Sequence, residues 1–128
     1  TLYVDRLSLR RQRKMCLRDR TYIDRVEPQW PLRIQLPIGT RVPFYCTASG
    51  KLYLSSLNDQ HLARYAHAAE LTQFTERTIT TPEDLIEEIQ AVRRNGFAQD
   101  NEEFMDGMIA IGVAITDPNG RLVSTLSF

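Results

Sequence analysis

One stretch constrains the fold more than any other. In Thr81-Pro-Glu-Asp-Leu-Ile-Glu-Glu-Ile-Gln-Ala-Val-Arg-Arg-Asn-Gly96 every position agrees on a single helix. Thr81 suits the N-cap, where a hydroxyl oxygen accepts from an early backbone N–H. Pro82 suits the first helical position, whose N–H has no intrahelical acceptor. Glu83 and Asp84 complement the positive end of the helix dipole, and Arg93 and Arg94 the negative end. Leu85, Ile86, Ile89 and Val92 make one apolar stripe. Asn95-Gly96 supplies a left-handed stop. Such a stripe must be laid against another layer.

Strand-like runs on either side of this helix provide that layer. Leu2–Leu7 alternates and is rich in strand formers. Met15-Cys-Leu17 and residues 21–26 flank Arg18-Asp19-Arg20, which predicts a hairpin turning at those three residues. Glu27-Pro-Gln-Trp-Pro31 breaks regular structure, and Leu32, Ile34 and Leu36 then share one strand face. Residues 47–57 and 59–69 read as two short helices, followed by a Thr-rich loop over 71–80. Phe97–Asp100 is a short strand. Met108–Ile115 is nearly continuous in apolar residues and is expected to be a central strand covered on both faces. Asp117-Pro-Asn-Gly120 turns the chain into Leu122–Leu126, its hairpin partner. The sum is an α+β domain, a mixed and mostly antiparallel sheet with helices packed on it.

At 128 residues the chain is one domain long, enough for a single core. No apolar run reaches membrane-spanning length and no signal-peptide pattern opens the chain. Cys16 and Cys46 make neither a disulfide framework nor a metal spacing, so a cytoplasmic, reducing setting is the expectation. The net charge is zero but unevenly placed: residues 1–41 carry +6 and residues 42–128 carry −6. Arg10-Arg-Gln-Arg-Lys14 is the densest basic run. Without interleaved aromatic residues it reads as a solvated loop or edge rather than a nucleic-acid patch.

The feature that most directly suggests a ligand is Cys46-Thr-Ala-Ser-Gly-Lys51. Small residues here open a helix, where backbone N–H groups and the dipole favour an anion. Enzyme signatures are missing: no nucleophile elbow, Walker motif or dinucleotide fingerprint is present. His61 and His67 are six apart and do not share a helix face for a metal, so no metal or cofactor is expected. Cys46 is a conceivable nucleophile at a helix start. Asp100, Glu102 and Glu103 form an acidic cluster, of which Asp100 ends a strand and is expected to point inward. A buried carboxylate there needs a partner or a raised pKa.

An ordered set of motifs carries a resemblance. Tyr22-Ile-Asp-Arg-Val-Glu27, Gly39-x-Arg41-x-Pro43, Cys46–Lys51, Thr75-x-Arg77-Thr78, Asn95-Gly-Phe-Ala98, Asp100-x-Glu102-Glu103 and Asp117-x-x-Gly120 together resemble the effector-binding domain of IclR-family bacterial transcriptional regulators. The resemblance covers about residues 20–128 and implies a GAF-like sensor fold. It implies a small organic acid effector, self-association as a dimer or tetramer, and operator binding only through a separate N-terminal winged helix-turn-helix. On that basis residues 1–128 are expected to be a fragment lacking that domain and the family's C-terminal end. Carried over position by position, the effector carboxylate meets the backbone N–H groups of Ala48 and Ser49. Asp100 and Ser127 face the pocket, and Ile34, Val42 and Met108 line it. Ala110 stands where the family has a polar residue or cysteine, which points to a larger or partly aromatic acid. Two other readings compete. One is a small enzyme on the same scaffold using Cys46 or Asp100. The other is an interaction module whose Arg-rich segment contacts DNA or protein.

Overall fold

The computed structural model describes residues 2–6, 19–26 and 41–128. The order of elements is β1 (Leu2–Arg6), β2 (Asp19–Val26), β3 (Arg41–Pro43), α1 (Ala48–Ser56), α2 (Asp59–Ala68), α3 (Pro82–Asn95), β4 (Ala98–Asn101), β5 (Ile109–Thr116) and β6 (Leu122–Ser127). The strands form one sheet in the order β3-β2-β1-β6-β5-β4. Each of its five pairings is antiparallel. This is an α+β sheet-and-helix domain of the GAF-like kind. The expected turn does not fall at Asp19 and Arg20, which are strand residues paired with Pro43 and Val42 in the ladder. The expected strands at residues 15–17 and 32–36, and the Arg10–Lys14 run, lie outside the described residues.

The helices begin and end by the rules their sequences obey. Thr47, Asn58 and Thr81 cap α1, α2 and α3 with a side-chain oxygen that accepts an early N–H. Gly96 closes α3 at φ 78°, a conformation open to glycine at little cost. The C-terminus of α1 carries no glycine stop. Arg93 of α3 serves instead: its guanidinium donates to the carbonyls of Ser55 and Leu57 and pairs with Asp59. Carbonyls that helix geometry leaves without intrahelical donors are thereby satisfied.

α1 is the central element. It packs on β4, β5 and β6 from one side and on α3 from the other. Six of its nine residues are buried, Ala48 to Leu52 and Leu54. Leu54 joins Phe44, Leu62, Ala66, Leu85 and Ile89 in the main core, while Ala48 and Leu52 meet Val92 and Ala98 in a second cluster.

β5 departs from the expected double burial. It is an internal strand, between β6 and the edge strand β4, and only Gly112 of its eight residues is buried. Large residues such as Ile109 (57% exposed) and Val113 (44%) are uncovered among the described residues. Small residues occupy the other face because α1 presses on it. A Cβ added at Gly112 would lie 3.1 Å from Leu52 and 3.3 Å from Ala48. A run of alternating small and large apolar residues is thus a strand covered on its small side, and hydropathy alone does not separate it from one covered twice.

Candidate functional site

The site is built around the start of α1. Thr47 has extended backbone angles and uses its hydroxyl twice: Oγ1 accepts from the Gly50 N–H at 3.2 Å and donates to the Pro43 carbonyl at 2.6 Å. Gly50 is required here by close approach. A Cβ at this position would sit 2.3 Å from the Phe44 carbonyl oxygen and 2.4 Å from its Cα. The chain therefore folds back on itself between Pro43 and Gly50, and the first turn of α1 is buried. With Gly50 capped by Thr47, Ala48 and Ser49 complete a first turn of α1 whose N–H groups point toward the helix's N-terminal end.

The sheet beneath presents polar groups on the face that α1 covers. Asp100 pairs with Ala110 across β4 and β5, and Ser127 pairs with Gly112 across β5 and β6. Gly112 in turn lies against Ala48. Ala110 is half-buried against the cluster of Ala48, Leu52, Val92 and Ala98. Asp100, Thr125 and Ser127 are all buried. Val42 is fully buried in β3, at the opposite edge of the sheet from β4. Met108 is half-buried just before β5, its carbonyl accepting from the Glu102 N–H at 2.9 Å. Ile34 lies outside the described residues.

Asp100 is 1% exposed, and its Oδ1 accepts the Glu103 N–H at 2.9 Å. Burial raises its pKa to about 6, and the neighbouring Glu103 carboxylate adds to the rise. Backbone hydrogen bonds from Glu103 and Phe104, and the Lys51 charge, work the other way. This carboxyl is therefore near half-protonated in mildly acidic solution and can both accept and donate a hydrogen bond.

Lys51 is wholly buried, and its ammonium has three acceptors: Glu88 Oε1 at 2.8 Å, the Gln99 carbonyl at 2.7 Å and Glu103 Oε1 at 2.7 Å. All three N–H bonds are thus used within the protein. Gly50-Lys51 lacks the upstream glycines of a phosphate loop, and a structural lysine there agrees with these three bonds, although its partners are distant in sequence. The one visible signal is the short apolar spacing around it, Ala48 to Leu52, which places Lys51 inside a buried helix.

Cys46 is fully buried with no exposed thiol. Burial drives its pKa well above the ordinary value, and the charges of Asp100 and Glu103 push in the same direction. Helix-start activation of the thiol does not occur, which removes the physical basis for Cys46 as a nucleophile. Thr75 and Thr78, the threonines of the Thr75-x-Arg77-Thr78 motif, bond the turn after β4: Thr75 Oγ1 donates to the Glu102 carbonyl and Thr78 Oγ1 to the Glu103 carbonyl, each at 2.6 Å. Among the described residues, no group of three or more His, Cys, Asp or Glu is placed to hold a metal, and no helix is long and apolar enough to cross a membrane.

A buried helix start laid across the small-residue face of an antiparallel sheet is the frame of a GAF-like domain. The family model for the C-terminal domain of the bacterial transcriptional regulator IclR matches residues 6–128, so the likeness reaches further back than the residues near 20 where it is legible by eye. SauR of Cupriavidus necator, named a probable transcriptional regulator, is 38% identical over 109 residues, or 85% of this chain and 43% of SauR. The crystal structure of Thermotoga maritima IclR superposes with a TM-score of 0.84 at 32% identity, covering 98% of this chain and 48% of that one. A double mutant of the inducer-binding domain of the Acinetobacter transcription factor PobR, in complex with 3-hydroxybenzoic acid, gives a TM-score of 0.83 at 25% identity, over 98% and 70% of the two chains. The chain belongs to the IclR family of bacterial transcriptional regulators, of which it is the C-terminal domain. It spans less than half the length of SauR and of the Thermotoga regulator. Its relatives are regulators rather than enzymes.

Proposed function

We propose that this domain binds a small organic acid and passes its occupancy to a separate winged helix-turn-helix that contacts operator DNA. The Ala48 and Ser49 N–H groups hold the acid's carboxylate, and Asp100 and Ser127 bind polar groups on the rest of the ligand. Val42, Met108, Ala110 and Ile34 form the apolar lining. The observation that carries this reading is the buried first turn of α1, set over a sheet face that bears buried polar side chains. The PobR domain, bound to 3-hydroxybenzoic acid, supports an aromatic carboxylate as the ligand class. Ala110 points the same way, since a methyl group offers contact area and no hydrogen bond. The assembled regulator works in the cytoplasm as a dimer or tetramer.

A thermal-shift panel of pyruvate, glyoxylate, benzoate, 3-hydroxybenzoate and 4-hydroxybenzoate tests the proposal. A bound acid at a hundredfold excess over its Kd stabilises the fold by about 2.7 kcal/mol. Ser49→Pro, which deletes one of the two N–H groups, and Asp100→Ala should each abolish the shift. Calorimetry showing glyoxylate binding with no response to the aromatic acids would overturn the ligand class. Turnover of a bound acid, lost in Cys46→Ala, would return the enzyme reading.

A further inference from the structure

The turn between β4 and β5 is held in a costly shape. Glu102 adopts φ 59°, the left-handed region, which is unfavourable for a residue with a Cβ. Such a conformation persists only where surrounding contacts over-determine it. Here Thr75 and Thr78 hold the carbonyls of Glu102 and Glu103, and Asp100 Oδ1 holds the Glu103 N–H. Lys51 adds the contacts that reach α1. Its ammonium bonds the Gln99 carbonyl and Glu103 Oε1, one residue before and three residues after Asp100.

We propose that Lys51 is a positioning residue of the effector site: by clamping residues 99 and 103 to α1, it sets the Asp100 carboxylate relative to the Ala48 and Ser49 N–H groups. The inference rests on the effector-site reading above. Lys51 sits three residues after Ala48 on the same buried helix, so the anion seat and the clamp move as one body. With its three hydrogens already committed, the ammonium does not meet the ligand's carboxylate and acts only through Asp100. Its third bond, to Glu88, ties the same assembly to α3.

Lys51→Met alone would leave the Glu103 carboxylate buried without its cation, so the informative variant is Lys51→Met/Glu103→Gln. Glu88 is a third exposed and reaches water when Lys51 is lost. Amide hydrogen exchange, read by NMR on the ligand-free chain, should show the Glu103 N–H exchanging about tenfold faster relative to the core amides of Leu54 and Ile89. Affinity for whichever acid of the panel binds the wild-type chain should fall about tenfold. Glu88→Gln, which leaves the turn's clamp in place, should change neither. Should the double variant fail to fold, Glu103→Gln alone keeps a weaker acceptor at the same place and should give the same local effect at lower amplitude. A uniform rise in exchange across core and turn, with affinity unchanged, overturns the proposal and leaves Lys51 a general stabiliser. Failure of the wild-type chain to bind any acid overturns the site reading, and this proposal with it.

Discussion

Replacing Asp100 with Asn isolates the cost of ionising a carboxyl beneath α1. Asn has the same shape, stays neutral, and offers an oxygen where Asp100 Oδ1 now accepts the Glu103 N–H. In the unfolded chain the aspartate ionises at its ordinary 3.8, whereas in the folded domain burial delays ionisation to about 6. Between these values the folded state binds more protons than the unfolded state, so stability falls as pH rises. The contribution is fully present below 3.8, is lost across the interval and stays lost above about 6. Two units at 1.36 kcal/mol each put the loss at about 3 kcal/mol.

Urea unfolding of both proteins, at closely spaced pH values from about 4 to about 8, measures this directly. Carboxylates common to the two proteins cancel in the difference. The advantage of Asp100→Asn over wild type should grow by about 3 kcal/mol between about pH 4 and about pH 6.5 and then level off. A difference that stays flat across that interval refutes the argument, because it means that the carboxyl ionises as easily folded as unfolded. A difference that grows in the opposite direction would mean that the Glu103 and Phe104 N–H groups and Lys51 outweigh burial.

Gly50→Ala should destabilise the domain by about 3 kcal/mol or prevent folding, since its methyl would meet the Phe44 backbone at 2.3 Å rather than a side chain able to move; thermal unfolding reads the loss. Thr47→Val removes both the N-cap and the bond to Pro43 and should cost about 1–2 kcal/mol in the same assay. Cys46 should resist iodoacetamide at mildly alkaline pH in a Cys16→Ser background and react only when urea unfolds the chain; rapid labelling of the folded domain would contradict its burial. Asp59, held below its ordinary pKa chiefly by the Arg93 hydrogen bond, should act in the opposite sense to Asp100: its contribution is present above 3.8 and is lost as pH falls below it. Asp59→Asn should therefore flatten only the acid limb of the stability profile.

Local chemistry was legible wherever a residue acts on its own neighbours. Thr81, Pro82 and Gly96 delimit α3 because caps and stops are short-range devices. Asp117 and Gly120 likewise announce their turn, where Asp117 Oδ1 accepts the N–H groups of Asn119 and Arg121. The inward turn of Asp100 was also readable from its place at a strand end. What stayed hidden depends on partners distant in sequence. Lys51 meets acceptors 37 to 52 residues away, and nothing in Gly50-Lys51 separates a buried ammonium from a solvated one. The open face of β5 was hidden for a related reason. An apolar run records that a strand avoids water somewhere, whereas the size alternation across Ala110, Gly112 and their large neighbours records which side a helix occupies.

The same alternation suits α1 to the binding role proposed for it. A helix whose first turn is to present N–H groups to a ligand must come close to both the sheet below and the chain that precedes it. Gly112 permits the first approach and Gly50 the second. Close approach buries whatever the helix carries, so a lysine on it must find acceptors inside the protein, and Glu88, Gln99 and Glu103 meet that need. Gln99 and Glu103 flank Asp100 in the chain, which brings the buried cation close to a carboxyl that burial makes hard to ionise. Removing the cation should therefore raise the Asp100 pKa further above 6, since the Lys51 charge now lowers it. Carboxyl NMR titration of Lys51→Met/Glu103→Gln against Glu103→Gln alone reads that step. A titration unchanged by loss of the ammonium would mean that Lys51 and Asp100 are electrostatically independent, and that the geometry linking them has no bearing on the charge at the site.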